Sequence, residues 1–297
     1  MNYFLYGWLF GLGLIIGSFL NVVTIRYRPE RAVFDLHTIG GRSHCPICYK
    51  QLAWYELIPL FSFLFIRGKC RHCGHRLSLQ YPIIELLSGL IFVVVPWQLS
   101  MQIVLPVWYG AAVPGVLVTL SALWIAAFLA MLVLAVIDLK YMIIPDSINV
   151  FLAVIGVAIA GVTLWHHGFG FSHGSFLQHY AALFGLRNDI VVNRLVAALV
   201  GPAFFGSIIL ATKGRGMGWG DFKLAGALGL LFGWPDVLMV FFLSFIVGSV
   251  VSLVLLARKR KGMRDAVPFG PFLVIGSVLT FFFGYAALSF YFGLFAL

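Results

Sequence analysis

Charge is scarce in this chain, and negative charge is scarcest: its 297 residues include ten Asp and Glu, and charged residues of both signs make up 10%. A soluble domain holds about 25% charged residues, so this chain lacks the side chains to cover a surface facing water. A basic stripe is also missing. The net charge of +10 is distributed between apolar runs, which excludes the usual footprint of a nucleic-acid binder. The opening run MNYFLYGWLFGLGLIIGSFLNVV has no basic residues before it and no small-residue cleavage site, so it reads as a retained span rather than a secretory signal. Cysteine is limited to four residues, and no internal repeat or low-complexity tract is evident.

What fills the chain instead is apolar sequence, 62% of it. Runs near the ~20 residues needed to cross a bilayer occur at 3–25, 82–99, 115–137, 143–164, 191–212, 221–234, 236–257 and 268–294. The sixth is short and rich in glycine, Pro235 divides it from the seventh, and it reads as partly re-entrant or tilted. The expected fold is an all-α polytopic membrane protein of about eight transmembrane helices, with one polar module between the first and second. The expected division is a first transmembrane helix at 1–25, a cytoplasmic cysteine module at 26–81 and a transmembrane domain at 82–297. With the N-terminus outside, 26–81, 138–142, 213–220 and 258–267 face the cytoplasm. That arrangement puts eighteen of the twenty Lys and Arg on the cytoplasmic side or at its boundary, as the positive-inside rule requires. Arg187 and Arg194 are the two exceptions. The 166–190 loop, with His166, His167, His173 and His179, reads as an irregular external cap.

All four cysteines fall in the polar module, as Cys45-Pro-Ile-Cys48 and Cys70-Arg-His-Cys73, with 21 residues between the two pairs. A Cys-x-x-Cys turn aims two thiolates at one point, and two such turns supply the four ligands of tetrahedral zinc. Two disulfides or four free thiols are the alternatives, and a reducing cytoplasm disfavours the disulfides. His44, His72 and His75 flank the turns as surface residues or supports, since four sulfurs complete the shell. A zinc ion with no open position is structural.

Two acids are conspicuous at the ends of apolar runs. Asp138 closes the third, in AVIDLKYMIIPD, and Asp221 opens the sixth, in GMGWGDFKL. The topology sets both at the cytoplasmic boundary, and an ionisable group there is by default functional. Hydrolysis of an amide by carboxylates needs two that share one proton, one activating water while the other donates to the carbonyl oxygen. Gly218 and Gly220 let the backbone approach Asp221 closely and admit an extended substrate strand. The bland alternatives are a helix cap for Asp221 and an ion pair of Asp138 with Lys140. Asp146, after Pro145, reads as a helix cap and is held as a reserve candidate.

These segments resemble the bacterial type IV prepilin peptidases, the leader peptidase/N-methyltransferases. The matching stretches are GSFLNVV (17–23), HCPICYKQLAWYELIPLFSFLFIRGKCRHCGHRLSLQYPIIELLSG (44–89), IDLKYMIIPD (137–146), GMGWGDFKLAGALGLLFGW (216–234) and PFGPFLVIG (268–276). The resemblance implies a bacterial inner-membrane enzyme. It would cleave the basic leader of type IV prepilins or type II secretion pseudopilins after a glycine, then methylate the new N-terminus from S-adenosylmethionine. It also implies that Asp138 and Asp221 are the catalytic aspartates and that the zinc module, on Cys45, Cys48, Cys70 and Cys73, belongs to the methyltransferase half. No Rossmann-type GxGxxG precedes a helix, so Glu56, Gly68, Lys69 and Glu85 stand as candidates for methyl transfer, with Glu85 a candidate to hold the new α-amino group. Interfacial snorkelling for Lys69 and capping for the glutamates are the competing readings. The rivals are a peptidase of the presenilin-like GxGD kind without methyl transfer, and a transporter whose two aspartates relay protons beside a zinc docking domain.

Overall fold

The computed structural model of the chain describes residues 3–30, 33, 40–45, 47–104, 113–165, 174–184, 189–214, 216–259 and 266–294. Among these residues the structure is helical, with two isolated β-bridges and no strand. Seven of the helices are long and apolar enough to cross a membrane, so the chain is a multi-pass membrane protein. It divides into two compact units, Met1–Leu99 and Ser100–Leu297.

In the first unit, α1 (Tyr3–Arg26) packs against α3 (Gln80–Val104) through Gly13, Gly17 and Gly89. Small residues of this kind let two membrane helices approach closely. Between these helices lie the cysteine turns, a 3-10 turn at Trp54–Leu57 and the five-residue helix α2 (Phe61–Phe65). The Asn21 amide donates to the Tyr81 carbonyl at 3.0 Å and the Gln80 amide to Thr24 Oγ1 at 3.1 Å, which fixes the start of α3 against the end of α1.

The second unit contains α4 (Val113–Tyr141), α5 (Asp146–Trp165), α6 (Ile190–Ala211), α7 (Trp219–Phe232), α8 (Asp236–Ala257) and α9 (Gly270–Leu294). Helix α7 lies between α5 and α6, while α4 packs on α5 and α9, and α9 pairs with α8. Bare backbone makes this possible: a Cβ on Gly156 of α5 would stand 2.6 Å from the Leu230 carbonyl carbon. Trp124, Phe128, Phe176, Phe232 and Phe281 form an aromatic core, with centroids 4.6–5.9 Å apart where the rings meet.

The sixth run is as short as its sequence implies and does not span. Helix α7 has 14 residues, about 21 Å at 1.5 Å per residue, well short of a ~30 Å hydrocarbon layer. It breaks at Gly233, whose φ of 81° is left-handed. A helix ending at this depth exposes carbonyls where water is absent, and each unpaired group is costly. Arg194 supplies the partners. Its buried guanidinium donates to Leu230 O at 2.7 Å and to Leu231 O, and the Trp234 N–H donates to Asn193 O at 3.2 Å. Asp236, fully buried, is near enough to attract the Arg194 charge, and its carboxylate accepts from the Ser175 hydroxyl and, at 2.8 Å, from the Phe176 N–H.

The Arg194→Ala variant is therefore expected to lose about 3–5 kcal/mol, since it orphans two carbonyls and leaves a buried carboxylate uncompensated. Thermal unfolding in detergent measures the loss, and adding Asp236→Asn should restore part of it. A fall no larger than that of an exposed Arg258→Ala control contradicts this account.

The 166–190 loop is more ordered than expected where it is described. Phe176 and Leu177 are buried, and Gln178–Phe184 forms a 3-10 helix. His179 packs on the rings of Tyr180 and Tyr285 at 4.2 and 5.4 Å. His166, His167, His173 and Arg187 lie outside the described residues.

Candidate active site and metal centre

Asp138 sits in the last turn of α4 with 3% of its surface exposed. Its Oδ2 accepts the Gly270 N–H at 3.0 Å, so the carboxylate lies at the amino end of α9. Free N–H groups and the helix dipole make that end a natural seat for an anion. The approach tolerates only glycine: a Cβ at position 270 would fall 2.6 Å from Asp138 Oδ2. Lys140, the partner considered from sequence, instead places its ammonium 4.9 Å from the Tyr141 ring centre.

Asp221 is the third residue of α7 and is 8% exposed. Its Oδ2 accepts the Gly218 N–H at 3.3 Å, the backward arm of a capping box. The expected cap role is thus real, but it occupies one oxygen. Oδ1 is buried and has no hydrogen-bond partner among the described residues. The Asp138 and Asp221 charges lie close enough to interact. Two rigidly held carboxylates at one end of the bundle, one with an uncommitted oxygen, are suited to share a proton and bind a water.

The two glycines before Asp221 have different jobs. A Cβ on Gly220 would touch Ile144 at 3.1 Å, so this glycine seats α7 against the turn that follows α4. Gly218 is not demanded by packing. Its φ is −88°, and the nearest atom to an added Cβ is Asp221 Oδ2 at 3.7 Å. Asp146 opens α5 rather than capping it, and its carboxylate takes Lys223 Nζ at 2.8 Å in an exposed ion pair between α5 and α7.

The four cysteine sulfurs all lie within 4.8 Å of one another, and Cys45 Sγ and Cys73 Sγ are 3.9 Å apart. Ligands at about 2.3 Å from a tetrahedral ion stand about 3.8 Å apart, so the set fits a metal ion. The Cys48 N–H beside the Cys45 sulfur favours its thiolate and lowers that thiol to about 7. The two turns are copies of one another, a local repeat over 44–51 and 69–76 that corrects the expectation of none. In each, the first Cys N–H bonds to the carbonyl five residues on, and its own carbonyl takes the N–H four residues on. Tyr49 and Gly74 occupy the same left-handed position, and His44 bridges Gln51 as Lys69 bridges Arg76. His72 and His75 are exposed, and no histidine joins the sulfur cluster among the described residues.

The four methyl-transfer candidates are dispersed in role. Glu56 Oε2 accepts the Ala53 N–H at 2.8 Å, closing the 3-10 turn. Gly68, with φ 65°, ends α2 by donating to Phe63 O at 2.9 Å. Buried Glu85 accepts the Leu60 N–H at 2.8 Å through Oε2, and Lys69 is exposed.

Comparison with known proteins covers both regions of the chain. The description "Bacterial Peptidase A24 N-terminal domain" matches residues 12–99, which hold the four cysteines, and "Type IV leader peptidase family" matches 125–253, which hold both aspartates. A relative named prepilin leader peptidase/N-methyltransferase, from Xanthomonas campestris pv. campestris, is 31% identical over 292 residues, covering 92% of this chain and 90% of its own. The chain belongs to the type IV leader peptidase family. Relatives of the same name from Bacillus subtilis and Pectobacterium carotovorum subsp. carotovorum are 30% and 33% identical, covering 95% and 91% of this chain and 96% and 92% of theirs. No solved structure matches the chain with comparable significance.

What sequence reasoning missed in this leader peptidase is Gly270. The signal was present in PFGPFLVIG, a Gly-Pro start ahead of an apolar run. Nothing local, however, linked that glycine to an aspartate 132 residues earlier.

Proposed function

We propose that the protein is an aspartyl endopeptidase that removes the basic leader of type IV prepilins or pseudopilins after a glycine, and then N-methylates the exposed residue. The observation that carries the reading is the pair Asp138 and Asp221, each held by one backbone N–H at one end of a buried bundle. One carboxylate, ionised, takes a proton from a water as the water attacks the scissile carbonyl. The other, protonated, donates to the carbonyl oxygen, and the leaving amine then regains a proton from the pair.

Sidedness follows from the basic loops: the N-terminus outside, the active site on the cytoplasmic face of the bacterial inner membrane. A leader that is basic and cytoplasmic, followed by an apolar helix, brings its scissile bond to that face. Residues 82–297 carry cleavage in this reading, and 26–81 serve methyl transfer with S-adenosylmethionine as methyl-donating co-substrate. Zinc on Cys45, Cys48, Cys70 and Cys73 is structural. Lys69 and the carboxylates of Glu56 and Glu85 are the groups assigned to the methyl-transfer site.

Incubation of detergent-solubilised protein with a prepilin and S-adenosylmethionine tests the reading by product mass. The expected product has lost the leader and gained one methyl group. Cleavage at any bond other than the one after the leader glycine, or no cleavage, overturns the assignment.

Two alanine variants separate fold from access. Gly270→Ala forces a carbon against Asp138 Oδ2 and is expected to cut turnover about 10²-fold, the scale of a 1 Å misplacement. Gly218→Ala has room in the fold, so its unfolding temperature should stay unchanged while KM rises as the substrate strand is obstructed. A Gly218→Ala enzyme with ordinary KM and kcat removes the access role.

A further inference from the structure

We propose that the segment Trp54–Phe65 lies in the headgroup layer of the bilayer and moors the cysteine module to anionic lipid. The first observation is depth. The Leu60 N–H donates to Glu85 Oε2 at 2.8 Å, and Glu85 lies five residues past the start of α3 at Gln80, about 7.5 Å along a helix. Leu60 therefore stands level with the second turn of a membrane-spanning helix. At that level α3 already presents Ile83, Leu86 and Leu87 outward, each at least 41% exposed in the isolated chain, as a lipid-facing surface does. A segment whose backbone is pinned there cannot stand clear in water.

The second observation is composition. Trp54 is 78% exposed, Phe61 56%, Leu64 71% and Phe65 84%. Water-facing turns do not gather large apolar side chains in this density, and a contiguous patch of them marks a contact surface. Along the segment Trp54 and Tyr55 come first and Phe61, Leu64 and Phe65 follow, and these are residue types that favour a membrane interface.

Charge identifies the kind of surface. Residues 40–80 contain six Lys and Arg and a single acid, Glu56, whose Oε2 accepts the Ala53 N–H. Arg67, Lys69 and Arg71 follow α2 directly and are exposed, and the Arg71 guanidinium lies 5.5 Å from the Tyr55 ring centre, at the edge of the apolar patch. Apolar side chains with a basic rim complement anionic headgroups over acyl chains. An apolar protein helix would be served by the patch alone and gains nothing from the rim.

The test uses the full-length protein in vesicles containing phosphatidylcholine brominated either near the headgroup or at mid-chain, with and without phosphatidylglycerol. The difference in tryptophan emission between wild type and Trp54→Phe isolates Trp54, and equal resistance of residues 40–79 to protease in the two proteins certifies the variant's fold. Shallow bromine is expected to quench this signal about twofold more than deep bromine, as for a residue at the headgroup–acyl boundary. The quenching should increase with phosphatidylglycerol, and Arg67→Gln/Arg71→Gln should abolish that increase. Absence of quenching by either lipid, deeper quenching than shallow, or indifference to anionic lipid overturns the proposal. A Trp54 signal that no lipid quenches but a prepilin peptide shifts overturns it in favour of a protein partner.

Discussion

Asp138→Asn and Asp221→Asn are each expected to abolish leader removal, by at least about 10³-fold, yet to unfold at a temperature no lower than that of the wild type. The rate loss follows from the proton economy of the pair. A general acid–base group contributes on the order of 10²–10⁴-fold, and an asparagine can neither take the proton from water nor return it. In the proposed mechanism the two carboxylates act as one titrating unit, so the double variant should lose little more than either single one.

The stability half of this prediction comes from the geometry. The amide oxygen of an asparagine at position 138 still accepts the Gly270 N–H, and one at position 221 still accepts the Gly218 N–H, so both helix ends remain capped. What each substitution removes is a buried ionisable group, and at position 221 a carboxylate oxygen without a partner among the described residues. Relief of such functional strain commonly stabilises a fold. Cleavage of a prepilin followed by mass, beside thermal unfolding in the same detergent, measures both. Methylation of a synthetic mature N-terminus should survive in both variants. Either variant retaining a tenth of wild-type cleavage, or melting well below wild type, assigns that aspartate to architecture.

Much of this is legible in the amino-acid order alone, and the reasons are specific. The helices could be located because a bilayer imposes a length and forbids charge, so each run announces itself in one dimension. Asp138 and Asp221 stood out because acids are rare here, and the Cys-x-x-Cys turns because their ligands are local. The half-span α7 was legible only in part: its short, glycine-rich run and Pro235 gave the break, but a helix that stops inside a membrane needs a donor for its last carbonyls. That donor, Arg194, lies 36 and 37 residues earlier in the chain than the carbonyls it serves. Gly270 and the Lys223–Asp146 pair were hidden for the same reason, since the partners are 132 and 77 residues apart. The repeat in the cysteine turns escaped because, beyond the cysteines and their backbone bonds, only a leucine recurs, Leu52 in one copy and Leu77 in the other. The left-handed position is Gly in one copy and Tyr in the other.

Losing one sulfur should matter to the cysteine module more than any substitution in its apolar patch. Among the described residues from 40 to 79, the only buried side chains are Cys45 and Cys70. The segment therefore has no hydrophobic core, and its isolated bridges leave nothing else to replace one. In a domain of this kind the free energy of metal binding is the free energy of folding, about 10–16 kcal/mol for a structural zinc at neutral pH. Cys45→Ser is expected to take the protein from about one zinc per chain to none and to open residues 40–79 to protease. Methyl transfer should fall at least about 10²-fold, the scale reached when metal-site support is lost. Leader cleavage should change only a few-fold, because Asp138, Asp221 and Gly270 are bonded within the compact unit Ser100–Leu297. Metal analysis, limited proteolysis and the two activities are read on one preparation. Full zinc content in Cys45→Ser excludes the four-sulfur site, and cleavage that collapses in step with methylation shows that the two activities do not divide between the two parts of the chain.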